Sequence, residues 1–301
     1  MRHVATFLAV KSFAKLNLYL QVLNKRKDNF HNLSTLFARI DLADTIILRK
    51  RKDGLIKIKC DSRKVPKDKS NLCYRAAALL KEELKLSQGI EIELKKRIPV
   101  GAGLGGGSSN GASVLLGLNK LWNLNLAKTR LAKFGAKLGS DVPFFIYQTK
   151  FALGNGRGDQ VKPINSLAKL KLWFILVYPN FKVSTPLIYR EFDLRLAAVK
   201  NLRLTRPRYN VHKLISQLSR NGRRVDASYF LNELEVVTTV LYPIVGKVKA
   251  AFFNLGLEKA MMSGSGPAVF AICNSGIQAK NLSSRLNKKH KTWQFFVTST
   301  V

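Results

Sequence analysis

The chain has 301 residues, of which 46% are hydrophobic, with 52 Lys and Arg against 18 Asp and Glu for a formal net charge of +34. Such a length and apolar content suffice for one large domain or two medium ones, and no apolar run approaches the ~20 residues of a membrane span. Three scattered cysteines (Cys60, Cys73, Cys273) without a CxxC pair exclude a disulfide framework or zinc site and point to a reducing cytoplasm.

In chain order, residues 4–10 are apolar, but Lys11 and Lys15 follow and no small-residue cleavage site appears, so they are not read as a signal peptide. Residues 7–23 alternate as a strand, interrupted by Lys15 and Asn17. A polar turn at 26–33 leads to a second strand at 36–50, and 70–86 reads as a helix with Ser70 or Asn71 as cap. Ile90, Ile92, Leu94 and Ile98 mark a strand, whereas Ala112, Leu115, Leu116, Leu118, Leu121 and Trp122 recur near helical spacing. Between these two lies PVGAGLGGGSSNGAS, residues 99–113, with six glycines and three serines. A basic helix follows at 129–139, then a strand-like run at 140–147 and a turn at 154–160. A second half starts near 160, with a buried strand at 171–178 and a helix at 184–200 that opens on Thr185-Pro186. A loop is expected at 201–210, helical stretches at 211–220 and 232–255, and a second Gly/Ser loop feeding a strand at 261–272. The mixed order predicts an α+β protein rather than regular βαβ winding.

Strand, glycine loop and helix in succession form a phosphate cradle. Gly101, Gly103 and Gly106 fit G-x-G-x-x-G, but a dinucleotide site needs an acid about 20 residues further on. None occurs in the 47 positions from Leu94 to Ser140, and no GK[ST] closes the loop as in a Walker motif. Ser108 and Ser109 stand at the expected helix start, as caps or as phosphate and metal contacts. Asp141 is the first acid after this basic stretch; by spacing alone it reads as an ion-pair partner or a base.

The segment PVGAGLGGGSSNGA resembles the phosphate loop of the GHMP kinases. AKLNLYLQV at 14–22, RKDNFHNLSTLF at 26–37, LGSDVPFF at 138–145, GNGRGD at 154–159 and MSGSGPAVFA at 262–271 are similar, in this order, to the CDP-methylerythritol kinase branch. The resemblance implies a two-domain α+β fold whose first domain is like the second domain of ribosomal protein S5. It implies an ATP-binding domain over 1–160, a substrate-binding domain over 161–301, and an active site in the cleft between them. It further implies transfer of the ATP γ-phosphoryl group to a hydroxyl of a methylerythritol moiety, with magnesium, on the route to isoprenoid precursors. Asp141 matches the base and Lys15 its partner, with Asn17 on the same side of the strand. Pro99, Gly101, Gly103, Leu104, Gly105, Gly106, Gly107, Ser108 and Ser109 match the ATP loop. His31 would read the cytosine edge while Phe30 and Tyr189 stack on its faces, with Thr185 beside them. The SGSGP segment, by itself a hairpin loop, would contact the first domain near the phosphates.

Asn29 stands where the branch has glycine, Phe30 where it has tyrosine, Gly111 where it has alanine and Asp159 where it has glutamate. Two rival readings remain: a GHMP kinase acting on homoserine, mevalonate or a sugar, and a basic nucleic-acid-binding protein. The lysines and arginines are spread along the chain rather than gathered in a stripe, which makes nucleic acid the secondary partner and small anions the primary ones.

Overall fold

In the computed structural model, residues 6–198 and 210–301 are described. The first sheet has the order β3–β4–β2–β1–β8, formed by Ile56–Cys60, Gly89–Lys95, His31–Arg51, Phe7–Lys25 and Leu231–Asn232. A further strand, β5 (Phe151–Asn155), pairs with β2, and β6 (Gln160–Pro163) pairs with β5. β1 and β2 form one long antiparallel hairpin running from Phe7 opposite Arg49 to Lys25 opposite His31. Alternation along β1 sends Leu16 and Leu18 to one face and Lys15 and Asn17 to the other. A register shift between Asn17 and Tyr19 then returns Tyr19 to the face of Leu18.

Helices α1 (Leu72–Glu83) and α2 (Gly106–Leu121) cover the first sheet. Ala76, Ala77 and Leu80 of α1 and Leu115 and Leu118 of α2 pack on Ile46, Leu48, Ile90 and Ile92. The side chain of Asn71, not Ser70, caps α1 by accepting from the Cys73 amide at 2.8 Å. Helices α3 (Lys128–Leu138) and α4 (Val142–Tyr147) complete this layer. The strand expected at 140–147 is therefore a helix. Val142, Pro143, Phe144, Phe145 and Ile146 are all buried, so the run carries no polar period to separate strand from helix, and Pro143 suits a first helical turn.

The second sheet is antiparallel with the order β11–β7–β10–β9, formed by Gln294–Ser299, Trp173–Tyr178, Val269–Cys273 and Ala260–Met262. One face, with Phe174, Leu176 and Phe270, packs on Leu16, Leu18, Leu36 and Ile40 of the first sheet. The other, with Ile175, Val177 and Ala271, is covered by α5 (Thr185–Ala198), α7 (Glu235–Leu241), α8 (Pro243–Phe253) and α9 (Gly276–Lys289). α6 (Val211–Asn221) lies against the core between the sheets through Leu214 and Leu218.

The single helical stretch expected at 232–255 is broken at Tyr242, where the axis turns by 112°. Pro243 cannot donate a backbone bond and starts the second piece instead. No single described helix is long and apolar enough to cross a membrane. Residues 199–200 of the expected α5 region and 201–209 of the expected loop lie outside the described residues. β3, β5, β6, β8, α9 and β11 have no counterpart among the expected elements.

A buried polar cluster anchors the start of the glycine loop. Asp44 is fully buried on β2. Its carboxylate accepts from the amides of Arg97 at 2.7 Å and Ile98 at 2.8 Å, from Asn110 Nδ2 at 2.9 Å, and from the Lys96 ammonium. Asn110 also donates to Ser12 Oγ at 2.9 Å, and Ser12 shares a 2.7 Å bond with Ser109. Sheet, loop and helix are thus joined through one carboxylate.

Asp44→Ala strands these donors and should cost about 3 kcal/mol or more in urea unfolding. Gly111→Ala is the opposite case: the added carbon would lie 3.5 Å from the Leu72 carbonyl, an ordinary contact in a helix interior. It should raise stability by roughly 0.5–1 kcal/mol in the same assay.

Candidate active site

The glycine loop joins β4 to α2, and its Gly101, Gly103 and Gly105 have φ of 70°, 76° and 66°. At Gly103 a Cβ would lie 2.0 Å from the Ser263 carbonyl oxygen, so the backbones of the loop and of the 263–268 hairpin pass in direct contact. Ser263 Oγ donates to the Gly103 carbonyl at 3.0 Å and the Ala268 amide donates to that of Ala102 at 3.2 Å. The second Gly/Ser loop is both a β9–β10 hairpin and a strap across the first.

α2 starts at Gly106, two residues before the expected position, with left-handed Gly105 as its N-cap and no side-chain cap. The first-turn amides therefore have no partner within the helix and carry its positive end. Ser108 lines the cavity beside them, whereas Ser109 does not: it is 1% exposed and bonded to Ser12. The role of Ser109 as a cap or phosphate contact is therefore corrected to an internal tie.

All the other residues expected in the site, including Pro99 and Leu104, line one cavity of about 850 Å³. Lys15 lines it, 4% exposed, on β1 opposite Arg39 of β2. Its ammonium donates to Asn17 Oδ1 at 2.6 Å and lies 3.4 Å from Asp141 Oδ2. Asn17 in turn donates to Thr35 Oγ1 at 2.8 Å, which donates to the Tyr19 carbonyl at 2.6 Å. The lysine is oriented by this chain, and Gly105 lets the loop pass within contact of its side chain. Asp141 immediately precedes α4, uses no oxygen to cap it, and is 29% exposed toward the cavity.

In the same cavity, His31 stacks on Tyr189 with ring centres 5.0 Å apart and planes 24° apart. His31 Nε2 lies 2.7 Å from Asp193 Oδ1, and Lys25 donates to Asp193 Oδ2 at 2.8 Å. Burial raises the Asp193 pKa, but the bonds from Lys25 and His31 outweigh it and hold the carboxyl below its ordinary range. The Tyr189 hydroxyl is pushed well above its usual pKa by burial and by the Asp141 carboxylate. Phe30 is 52% exposed at the hairpin tip, after Asn29 with φ 64°, and carries the Arg157 guanidinium 4.9 Å over its ring. Thr185 shares a 2.7 Å hydroxyl bond with Ser265 of the strap.

Lys96, Arg157 and Asp193 also line the cavity and were not singled out in the sequence. Asp193 follows Tyr189 by one helical turn, which is the one signal that could have found it. In all, six basic side chains line the cavity against three carboxylates (Asp28, Asp141 and Asp193), a balance suited to polyanionic ligands. Each of those carboxylates already has a basic partner: Arg26, Lys15 and Lys25, respectively. Among the described residues no three His, Cys, Asp or Glu side chains gather as a metal site.

The GHMP kinase N-terminal domain model matches residues 71–149 and the GHMP kinase C-terminal model residues 206–292. A 4-diphosphocytidyl-2-C-methyl-D-erythritol kinase of Moorella thermoacetica is 40% identical over 94% of this chain and 96% of its own length. A solved 4-(cytidine 5'-diphospho)-2C-methyl-D-erythritol kinase superposes with a TM-score of 0.79 at 31% identity, covering 98% of this chain and all of the other. A homoserine kinase from Cytophaga hutchinsonii, at 21% identity and a TM-score of 0.73 over 100% of this chain and 96% of its own, shares the fold alone. The glycine loop, its hairpin strap and these full-length matches agree: the chain belongs to the 4-diphosphocytidyl-2-C-methyl-D-erythritol kinase family of GHMP kinases, two-domain α+β enzymes that use ATP as co-substrate.

Proposed function

We propose that the protein transfers the γ-phosphoryl group of ATP to a hydroxyl of the methylerythritol moiety of 4-diphosphocytidyl-2-C-methyl-D-erythritol, in isoprenoid precursor synthesis. The observation that carries this reading is the Lys15–Asp141 pair, 3.4 Å apart, in one cavity with the uncapped start of α2 and the His31–Tyr189 stack. ATP phosphates lie against the amides of Gly106, Gly107 and Ser108, where the helix end favours negative charge. The cytosine lies at the His31 end, so that the methylerythritol hydroxyl reaches Asp141.

Phosphoryl transfer demands mainly positioning and charge stabilisation. Asp141 accepts the hydroxyl proton, and Lys15 directs the carboxylate and offsets charge on the transferring group. Asn17 fixes the lysine. In this reading residues 1–160 bind ATP, residues 161–301 supply Thr185 and Tyr189 to the acceptor, and Phe30 and His31 reach it from the first half. Magnesium would come in with ATP, and Ser108, in the cavity beside the uncapped start of α2, is the hydroxyl placed to meet it. The three cysteines are free and buried, in keeping with the cytoplasm as the place of action.

The test is ADP release by the purified protein with ATP and magnesium, comparing the cytidine acceptor with homoserine, mevalonate and galactose. Turnover is expected with the cytidine acceptor alone, and turnover with another acceptor instead would sink the substrate assignment. Asp141→Asn should lower kcat by about 10²-fold or more while ATP binding persists. Gly103→Ala forces a carbon into the Ser263 carbonyl, and it should raise the KM for ATP and lower the melting temperature together, read by kinetics and thermal unfolding.

A further inference from the structure

We infer that Asp193 is a positioning residue that sets the tautomer of His31 and thereby lets the site distinguish a cytosine edge from a uracil edge. The inference rests on the proposed acceptor and adds the means by which its base is selected. The two planes of His31 and Tyr189 are 24° apart. A pyrimidine stacked on Tyr189 beside His31 therefore meets the imidazole edge to edge, the geometry of an in-plane hydrogen bond.

Which edge is accepted depends on the proton. Asp193 Oδ1, 2.7 Å from Nε2, can only accept, so Nε2 carries the hydrogen and Nδ1 of the neutral ring keeps a lone pair. Among the described residues nothing else hydrogen-bonds Nδ1. The exocyclic amine of cytosine donates there, whereas the O4 of uracil presents a second lone pair. Lys25 donates to the other carboxylate oxygen at 2.8 Å. Tyr189 and Asp193 are four residues apart on α5, so one helix face supplies both the platform and the tautomer lock. Lys25 and His31 are directly opposed at the end of the β1–β2 hairpin, so the same carboxylate also docks the hairpin on α5.

The lock and the docking are separable by titrating CDP and UDP into the wild type, Asp193→Asn, Asp193→Glu and Lys25→Met by calorimetry, with steady-state kinetics alongside. The wild type should prefer CDP. In Asp193→Asn the amide can donate to Nε2 or accept from it, so the preference should fall roughly tenfold and the acceptor KM rise similarly, with the ATP KM within about twofold. Asp193→Glu restores an acceptor-only group and should recover part of the preference even if Asp193→Asn folds poorly. Lys25→Met removes only the docking bond and should keep the preference. A preference retained in Asp193→Asn, or lost equally in Lys25→Met, overturns the inference while leaving the kinase reading intact. A wild type that neither binds CDP nor turns over the cytidine acceptor overturns both.

Discussion

Where the glycine loop passes the 263–268 hairpin, the two backbones approach so closely that one methyl group at Gly103 would meet the Ser263 carbonyl at 2.0 Å. The rest of the site hangs on this crossing. Beside it Gly101, Gly103 and Gly105 take the left-handed backbone, and α2 begins after Gly105 without a side-chain cap. It also brings Ser265 to Thr185 at the head of α5, and with α5 come Tyr189 and Asp193. The Tyr178 hydroxyl and the Val183 amide add bonds to the loop at the Val100 and Gly101 carbonyls.

Electrostatics explain why a basic protein still needs carboxylates in its site. Asp44 lies outside the cavity wall, where it gathers two backbone amides, Asn110 and Lys96 and so fixes the strand-to-loop junction. Asp141 and Asp193 line the cavity, each held by a lysine, where the proposed mechanism accepts a proton and recognises a base edge. The same residue type does three jobs because burial and partners differ at each place.

Much of this was legible in the sequence wherever local chemistry is distinctive. The strand–glycine–helix order, Asn29 as a residue that tolerates positive φ, and Lys15 and Asn17 sharing one face of a strand all follow from local geometry. Reading failed where the deciding partner is remote. Val142–Ile146 is apolar throughout and wholly buried, so no polar period marks it as a helix rather than a strand. Ser109 looked like Ser108 until the fold put Ser12 against it. Nothing about Asp44 or Asp193 in their own segments tells of partners 52 and 162 residues away.

By itself the sequence determined the α+β class, the phosphate-binding segment and the residue types able to accept a proton and direct it, since these depend on backbone freedom and side-chain chemistry within a few positions. Only the tertiary structure decided which of those residues meet. The Lys15–Asp141 approach, the Tyr189–His31 stack with its bond to Asp193, and the inward turn of Ser109 all arise from packing two sheets face to face. That packing is set by apolar burial summed over the whole chain, a quantity no short stretch contains.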